Sequence, residues 1–263
     1  MAFDYRGRVA IVTGASSGIG RAIAIDLAKR GTAVVAVARR RELIEEVAEL
    51  CRPTAPDSSA AVADVADRGA IEAVCRETLE RHGRVDVIVN NAGIPQRIHA
   101  SRVTVEDVEQ VMRINFMGAV YATLALLPSM LGRRDGRIVN VGSVAGRVGS
   151  PRESAYAASK YALTGWSEVL AADLLDTGVK VHLIVPGAID TEIWQKVQEP
   201  ASYRGKFIPP QSVADAVRDC LETGRFERWV PKRLQPVSLF RSLAPGSYVK
   251  GIARYDKRGG PKG

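Results

Sequence analysis

Tyr156 and Lys160 stand four residues apart in Ser154-Ala155-Tyr156-Ala157-Ala158-Ser159-Lys160, and Ser143 lies thirteen residues before the tyrosine. On a helix, that spacing of four stacks two side chains one turn apart on one face, placing an ammonium beneath a phenol. A free tyrosine titrates near roughly 10 and exchanges protons reluctantly at neutral pH; a fixed positive charge beside it favours the phenolate. The pair is therefore a candidate proton-transfer device. Chance alone also places such pairs on solvated helix faces, so the rest of the chain must supply a reason. Of the seven tyrosines, only Tyr156 has a lysine four residues on.

The elements that must position this pair alternate between strand and helix. Arg8 to Thr13 is a short β-branched run ending at Gly14, and Gly14-Ala15-Ser16-Ser17-Gly18-Ile19-Gly20 leads into a helical stretch that Gly31 stops. Glycines let a backbone turn tightly and approach a pyrophosphate, and a helix N-terminus offers unpaired N–H donors. Ala33 to Ala38 reads as a second buried strand, followed by Arg39-Arg40-Arg41 with no acidic residue. At this place in dinucleotide folds an acid holds a ribose 2′-hydroxyl and an arginine accepts a 2′-phosphate, so Arg39, with Arg40 as helper, is the expected phosphate partner. Further strands are expected at Ala60–Val65, Val85–Val89, Arg137–Gly142, Val179–Val185 and near Arg228–Val230, with helices over 68–81, 105–131, 153–177 and 212–222. Asn90-Asn91-Ala92-Gly93 ends the fourth strand, and Asn115 interrupts an apolar helical stretch, where an asparagine is mildly unfavourable. Residues 188–210, with Ile193, Trp194, Tyr203 and Phe207, have weaker periodicity and suit a mobile lid over a substrate.

Composition bounds the reading. At 263 residues with no linker the chain is expected to form one domain over 1–230, followed by a basic, apolar extension over 231–263. No continuous apolar run approaches a bilayer span and the N-terminus lacks a signal-peptide core, so a cytoplasmic location is expected. Cys51, Cys75 and Cys220 are too few and too scattered for a disulfide framework or a zinc site. The net charge is +8; residues 231–263 hold eight Lys or Arg against Asp256, which is +7, leaving +1 for the body. A neutral body argues against a nucleic-acid partner. The extension mixes Leu234, Val237, Leu239, Phe240, Leu243, Tyr248, Val249 and Ile252 with its cations, which fits peripheral contact with an anionic membrane, packing on the body, or disorder at Gly259-Gly260-Pro261.

Thr13-Gly14-x-x-x-Gly18-Ile19-Gly20, Asn90-Asn91-Ala92-Gly93, Asn115, Ser143, Tyr156-x-x-x-Lys160 and Pro186-Gly187 with Thr191 together resemble the short-chain dehydrogenase/reductase family, in order and spacing, over roughly residues 6–230. The resemblance implies an α/β fold: a Rossmann-type doubly wound sandwich with a seven-stranded parallel sheet and helices on both faces. It implies hydride transfer between a nicotinamide cofactor and a carbonyl or secondary alcohol, on a small apolar substrate. Tyr156 becomes the general acid/base, Lys160 lowers its pKa and holds the nicotinamide ribose, Ser143 positions the substrate oxygen, and Asn115 holds a water linking Lys160 to solvent. Gly14, Ser16, Ser17, Gly18, Ile19 and Gly20 line the pyrophosphate and ribose; Asp64 and Val65 the adenine; Asn90, with Ala92 and Gly93, the ribose side. Pro186, Gly187, Ile189 and Thr191 serve the carboxamide side. Arg39 with no preceding Asp resembles the subset preferring NADP(H). Many bacterial relatives end in a Gly-Gly-rich stretch that packs in a tetramer; this chain instead turns into its basic extension, so a homodimer is expected, with a tetramer as the alternative. The other reading of the whole is a catalytically silent NADP(H)-binding regulator.

Overall fold

The computed structural model describes residues 3–195, 197–199, 203 and 205–259. Its strands are β1 Val9–Thr13, β2 Ala33–Ala38, β3 Ser59–Val62, β4 Val87–Asn90, β5 Gly136–Val141, β6 Val179–Pro186 and β7 Glu227–Val230. They form one parallel sheet in the order β3-β2-β1-β4-β5-β6-β7. Successive residues of a strand serve opposite faces. Ala10 and Val12 pack with α1 (Gly18–Lys29), α2 (Arg41–Cys51) and α7 (Gln211–Thr223). Ile11, between them, packs on the other side with α3 (Arg68–His82) and α5 (Gly118–Arg133). This is the doubly wound sandwich that the alternation predicts, with strands buried on both faces reading as continuous apolar runs.

The expected helix over 105–131 is in fact α4 (Val105–Met112) and α5, joined through a π-helical turn at Arg113–Met117 that contains Asn115. By length and composition Val105–Arg133 is apolar enough to cross a bilayer, although polar residues interrupt it. Here Ala122, Leu126 and Met130 of this stretch are buried against the sheet. The third strand stops at Val62, because Asp64 turns the chain by accepting from the Ala66 N–H at 3.0 Å. The Tyr156 helix, α6, spans Ser154–Asp173 and ends short of 177. The extension forms α8 (Gln235–Leu243) and α9 (Pro245–Gly259); Gly260-Pro261, where disorder was expected, lies outside the described residues.

The sheet is pinned at the end opposite its ligand-facing edge. Asp86, fully buried, accepts from the Val9 N–H at 2.9 Å and from the guanidinium groups of Arg84 at 2.9 Å and Arg8 at 3.3 Å. The three cysteines are buried, and burial pushes their thiols up, so none has the character of a reactive thiolate.

His182 on β6 is fully buried; one ring nitrogen meets the Arg225 carbonyl at 2.7 Å and the other has no partner. Burial depresses the imidazole from 6.5 to about 4. On acidification the unfolded chain therefore takes up this proton before the folded one does. The contribution of neutral His182 is complete above the unfolded value and is lost as pH falls toward 4, costing about 2 kcal/mol by pH 5. Urea unfolding at pH 7 and pH 5 should show this loss in the wild type and a shallower one in His182→Gln; equal losses would place the acid sensitivity elsewhere.

Candidate active site

The strand order reverses between β1 and β4, which opens a crevice at their carboxyl ends, where ligands of such sheets bind. The turn after β1 fills one side. Gly14 and Gly18 have positive φ values of 66° and 54°. A Cβ on Gly14 would lie 2.8 Å from the Ala92 Cα, and one on Gly20 only 2.3 Å from the Gly14 carbonyl oxygen. Asn91 ties this turn to β4, its amide donating to the Thr13 carbonyl at 3.0 Å and that of Gly14 at 3.3 Å. The Ser17 N-cap of α1 makes no side-chain cap bond and the first turn has no acid, so its N–H donors remain for an anion.

These groups line a cavity of about 340 Å³. Gly14, Ser16, Ser17, Gly18 and Ile19 form its phosphate side, with Arg39 and Arg40 at the end of β2. Arg40 donates to the hydroxyls of Ser16 at 3.0 Å and Ser17 at 2.9 Å and pairs with Glu192 at 3.2 Å; Arg39 pairs with Asp64 at 3.5 Å. Asp64, Val65, Ala92, Gly93 and Thr191 also line it, as do Tyr156 and Lys160. A turn with no space for a Cβ at Gly14 or Gly20, free helix N–H donors and two guanidinium groups fit a dinucleotide.

Two expected cofactor contacts lie behind this lining. Gly20 serves the turn's close approach, and Asn90 is buried, donating to Asn140 Oδ1 at 2.8 Å and Thr123 Oγ1 at 3.0 Å. Asn140 in turn donates to Ser167 on α6 at 2.8 Å, so Asn90 belongs to a polar tie between β4, β5 and that helix. Pro186, Gly187 and Ile189 line a second cavity of about 330 Å³, together with Ser143.

Tyr156 stands where the two cavities meet, lining both along with Ile19, Gly142, Thr191 and Ile193. Ser143, on the second cavity, is near enough to the Tyr156 hydroxyl to favour the phenolate. Lys160 is buried, with Nζ 5.9 Å from the Tyr156 ring centre and donating to the Val141 carbonyl at 2.9 Å. The electrostatics differ from the expectation drawn from charge alone. Burial pushes the Tyr156 phenol up to about 12, with the Ser143 hydrogen bond opposing it, and brings Lys160 down to about 8. Desolvation disfavours both charged forms, so Tyr156 is protonated at neutral pH.

Asn115 holds this arrangement together. Its Oδ1 accepts from the Ile94 N–H at 2.8 Å, while its Nδ2 donates to the Ile94 carbonyl at 3.0 Å and to Ser159 Oγ at 3.1 Å. Ser159 donates to the Tyr156 carbonyl at 2.7 Å. The π-helical turn thus places one amide between the loop after β4 and the Tyr156 helix, a use of π turns that recurs at functional sites.

The second cavity contains residues that sequence patterning missed. Its walls are apolar at Val144, Val148, Trp194, Val197, Leu234 and Ile252. Segment 188–210 supplies part of this wall and is folded back on itself: Ile189 bridges Ile208, and Trp194 and Tyr203 both pack on Phe207. Gln96 also lines the cavity, with neither amide atom hydrogen-bonded. Beside it, buried Arg97 pairs with Glu153 at 3.1 Å and with Asp256 of α9 at 2.8 Å, while Arg152 holds the same Asp256 at 2.9 Å. Asp256 was legible only as the extension's single acid; its partners lie 159 and 104 residues away.

A dinucleotide cradle that shares a Ser–Tyr–Lys cluster with an apolar cavity defines an oxidoreductase using a nicotinamide cofactor. A family model described as short chain dehydrogenase matches residues 8–202, and the chain belongs to that family. The 3-oxoacyl-(acyl-carrier-protein) reductase FabG of Thermotoga maritima is 31% identical over 245 residues, covering 93% of this chain and 94% of that protein. A short chain dehydrogenase/reductase from Burkholderia phymatum in complex with NAD is 25% identical, with a TM-score of 0.84 over 91% of this chain and 94% of that one. A metagenomic short-chain oxidoreductase in complex with NADP is 29% identical, with a TM-score of 0.74 over 86% and 96%.

Proposed function

We propose that this protein is an NADP(H)-dependent carbonyl reductase and alcohol dehydrogenase acting on an apolar, lipid-like or ketone substrate. The observation that carries the reading is the position of Tyr156, beside Ser143 at the junction of the phosphate-binding and apolar cavities. When bound, the nicotinamide supplies or accepts the hydride. The substrate carbonyl oxygen lies between Ser143 and Tyr156, where Ser143 donates a hydrogen bond and orients it. Tyr156 gives its proton to that oxygen during reduction, and takes it back in the reverse direction. The Lys160 ammonium, below the phenol, stabilises the phenolate once the proton has left. Asn115 Oδ1 has a second lone pair for the water that would couple Lys160 to solvent. The name of the Thermotoga relative, a 3-oxoacyl reductase, agrees with an acyl-chain carbonyl in the apolar cavity.

Preference for NADP(H) is supported by Arg39 and Arg40 beside Ser16 and Ser17, with no carboxylate on the last residues of β2. The Arg39–Asp64 pair is solvent-exposed and therefore weak, so a phosphate can displace it. Assembly as a homodimer is supported by apolar side chains exposed on the long helices, Leu124 on α5 and Val169 on α6.

Oxidation of NADPH with a panel of ketones and aldehydes should fall by about three orders of magnitude in Tyr156→Phe while NADPH fluorescence titration still shows binding. Unchanged turnover would remove Tyr156 from the mechanism. Arg39→Ala should weaken NADPH by about ten- to a hundredfold and leave NADH nearly unchanged; equal losses would place the phosphate elsewhere. Sedimentation equilibrium should return the mass of two chains, and Leu124→Glu with Val169→Glu the mass of one; a wild-type monomer would overturn the dimer.

A further inference from the structure

The C-terminal helix pair has one docked face and one face without a partner among the described residues. On the docked face, Tyr248 is buried and donates to the Gly149 carbonyl at 2.6 Å, the Arg241 guanidinium stacks 5.2 Å from the Tyr161 ring, and Asp256 pairs with Arg97 and Arg152. Leu234, just before α8, and Ile252 and Asp256 of α9 line the second cavity. These helices therefore wall the substrate space.

The other face is apolar. Leu239, Phe240 and Leu243 of α8 are 61%, 51% and 77% exposed, and Val249 of α9 is 60% exposed. Spacings of three and four put the α8 residues on one stripe. On the same two helices and the turn before them, Lys232, Arg233, Lys250 and Arg254 are exposed, and the extension's only acid, Asp256, is buried. An apolar stripe rimmed by cations and free of outward carboxylates is the surface of a helix that lies in a lipid interface.

We propose that α8 and α9 dock the protein on an anionic membrane surface, seating Leu239, Phe240 and Leu243 among the acyl chains and the cations on the headgroup phosphates. Charge selects this occupant. A second copy meeting the same patch about a two-fold axis would bring cations against cations, and nucleic acid has no use for an apolar stripe at the centre of its contact. Because the helices that dock also wall the substrate cavity, a chain-bearing carbonyl can pass from lipid to Tyr156 along the Leu234–Ile252 wall; this second step rests on the carbonyl-reductase reading.

Flotation of the full chain tests the docking without reference to activity. Wild type should float with phosphatidylcholine vesicles that contain about 30% phosphatidylglycerol, but not with phosphatidylcholine alone, and should be released by about 1 M salt. A triple variant, Leu239→Ser, Phe240→Ser and Leu243→Ser, and a second, Lys232→Gln, Arg233→Gln, Lys250→Gln and Arg254→Gln, should each lower the floating fraction about tenfold. All seven of these hydrophobic and cationic positions lie off the catalytic cluster, so both variants should keep wild-type NADPH turnover with a short water-soluble ketone. Failure of wild type to float overturns the docking, as does a triple variant that floats like wild type, which would mean charge attraction alone. An oligomer lost in the triple variant without any flotation would assign the patch to a second copy. If flotation holds but no ketone is reduced, the docking stands and the carbonyl-reductase reading fails.

Discussion

The reversal of strand order between β1 and β4 is the constraint on which the site depends. At this one place in the sheet the chain leaves neighbouring strands in opposite directions and opens a crevice. Closing the crevice to the width of a dinucleotide requires two backbones to come nearly into contact, with space for no side chain at Gly14 or Gly20. Asn91 then fastens the turn to β4, and the carboxylate of Asp86 secures the opposite end of the same strands. The cradle is therefore held at both ends by side chains that take no part in chemistry.

The second cavity depends on the same frame through a longer route. Asn115, placed by a π turn, connects the loop after β4 to α6 through Ile94 and Ser159, and so fixes where Tyr156 stands relative to the cradle. Burial of the cluster has an electrostatic consequence. With the Tyr156 phenol raised to about 12 and the Lys160 amine lowered to about 8, the nearly equal proton affinities of the free groups are driven apart, and both neutral forms gain. The phenol is thus protonated at neutral pH, with Lys160 Nζ 5.9 Å from its ring centre.

The extension gives the second cavity part of its wall. Arg97, the residue after Gln96 on the loop that follows β4, is buried and joined to Asp256 at the far end of the chain. A buried guanidinium left without carboxylates is strongly disfavoured, so the Arg97 site couples docking of α9 to the integrity of the cavity. The same helices carry the exposed apolar stripe, which makes the extension the place where the cavity and the surroundings of the protein meet.

Much of this was determined by the sequence alone. Continuous β-branched runs ending in glycine or asparagine specify buried parallel strands, and the ordered set of Gly14, Gly18, Gly20, Asn115, Ser143, Tyr156 and Lys160 specifies the family, because each residue type answers a local geometric demand. Arg39 and Arg40 were placed at the cradle by their position after a strand, and Asp64 by the family resemblance. The tertiary structure alone decided what depends on distant partners: that Asn90 ties strands to a helix and does not line the cradle, that Asn115 sits in a π turn, and that Gln96, Arg97 and Asp256 gather at one cavity. It also decided the sign of the Tyr156 shift. Spacing along a helix shows that an ammonium is near, but the cost of removing a charge from water depends on everything packed around it.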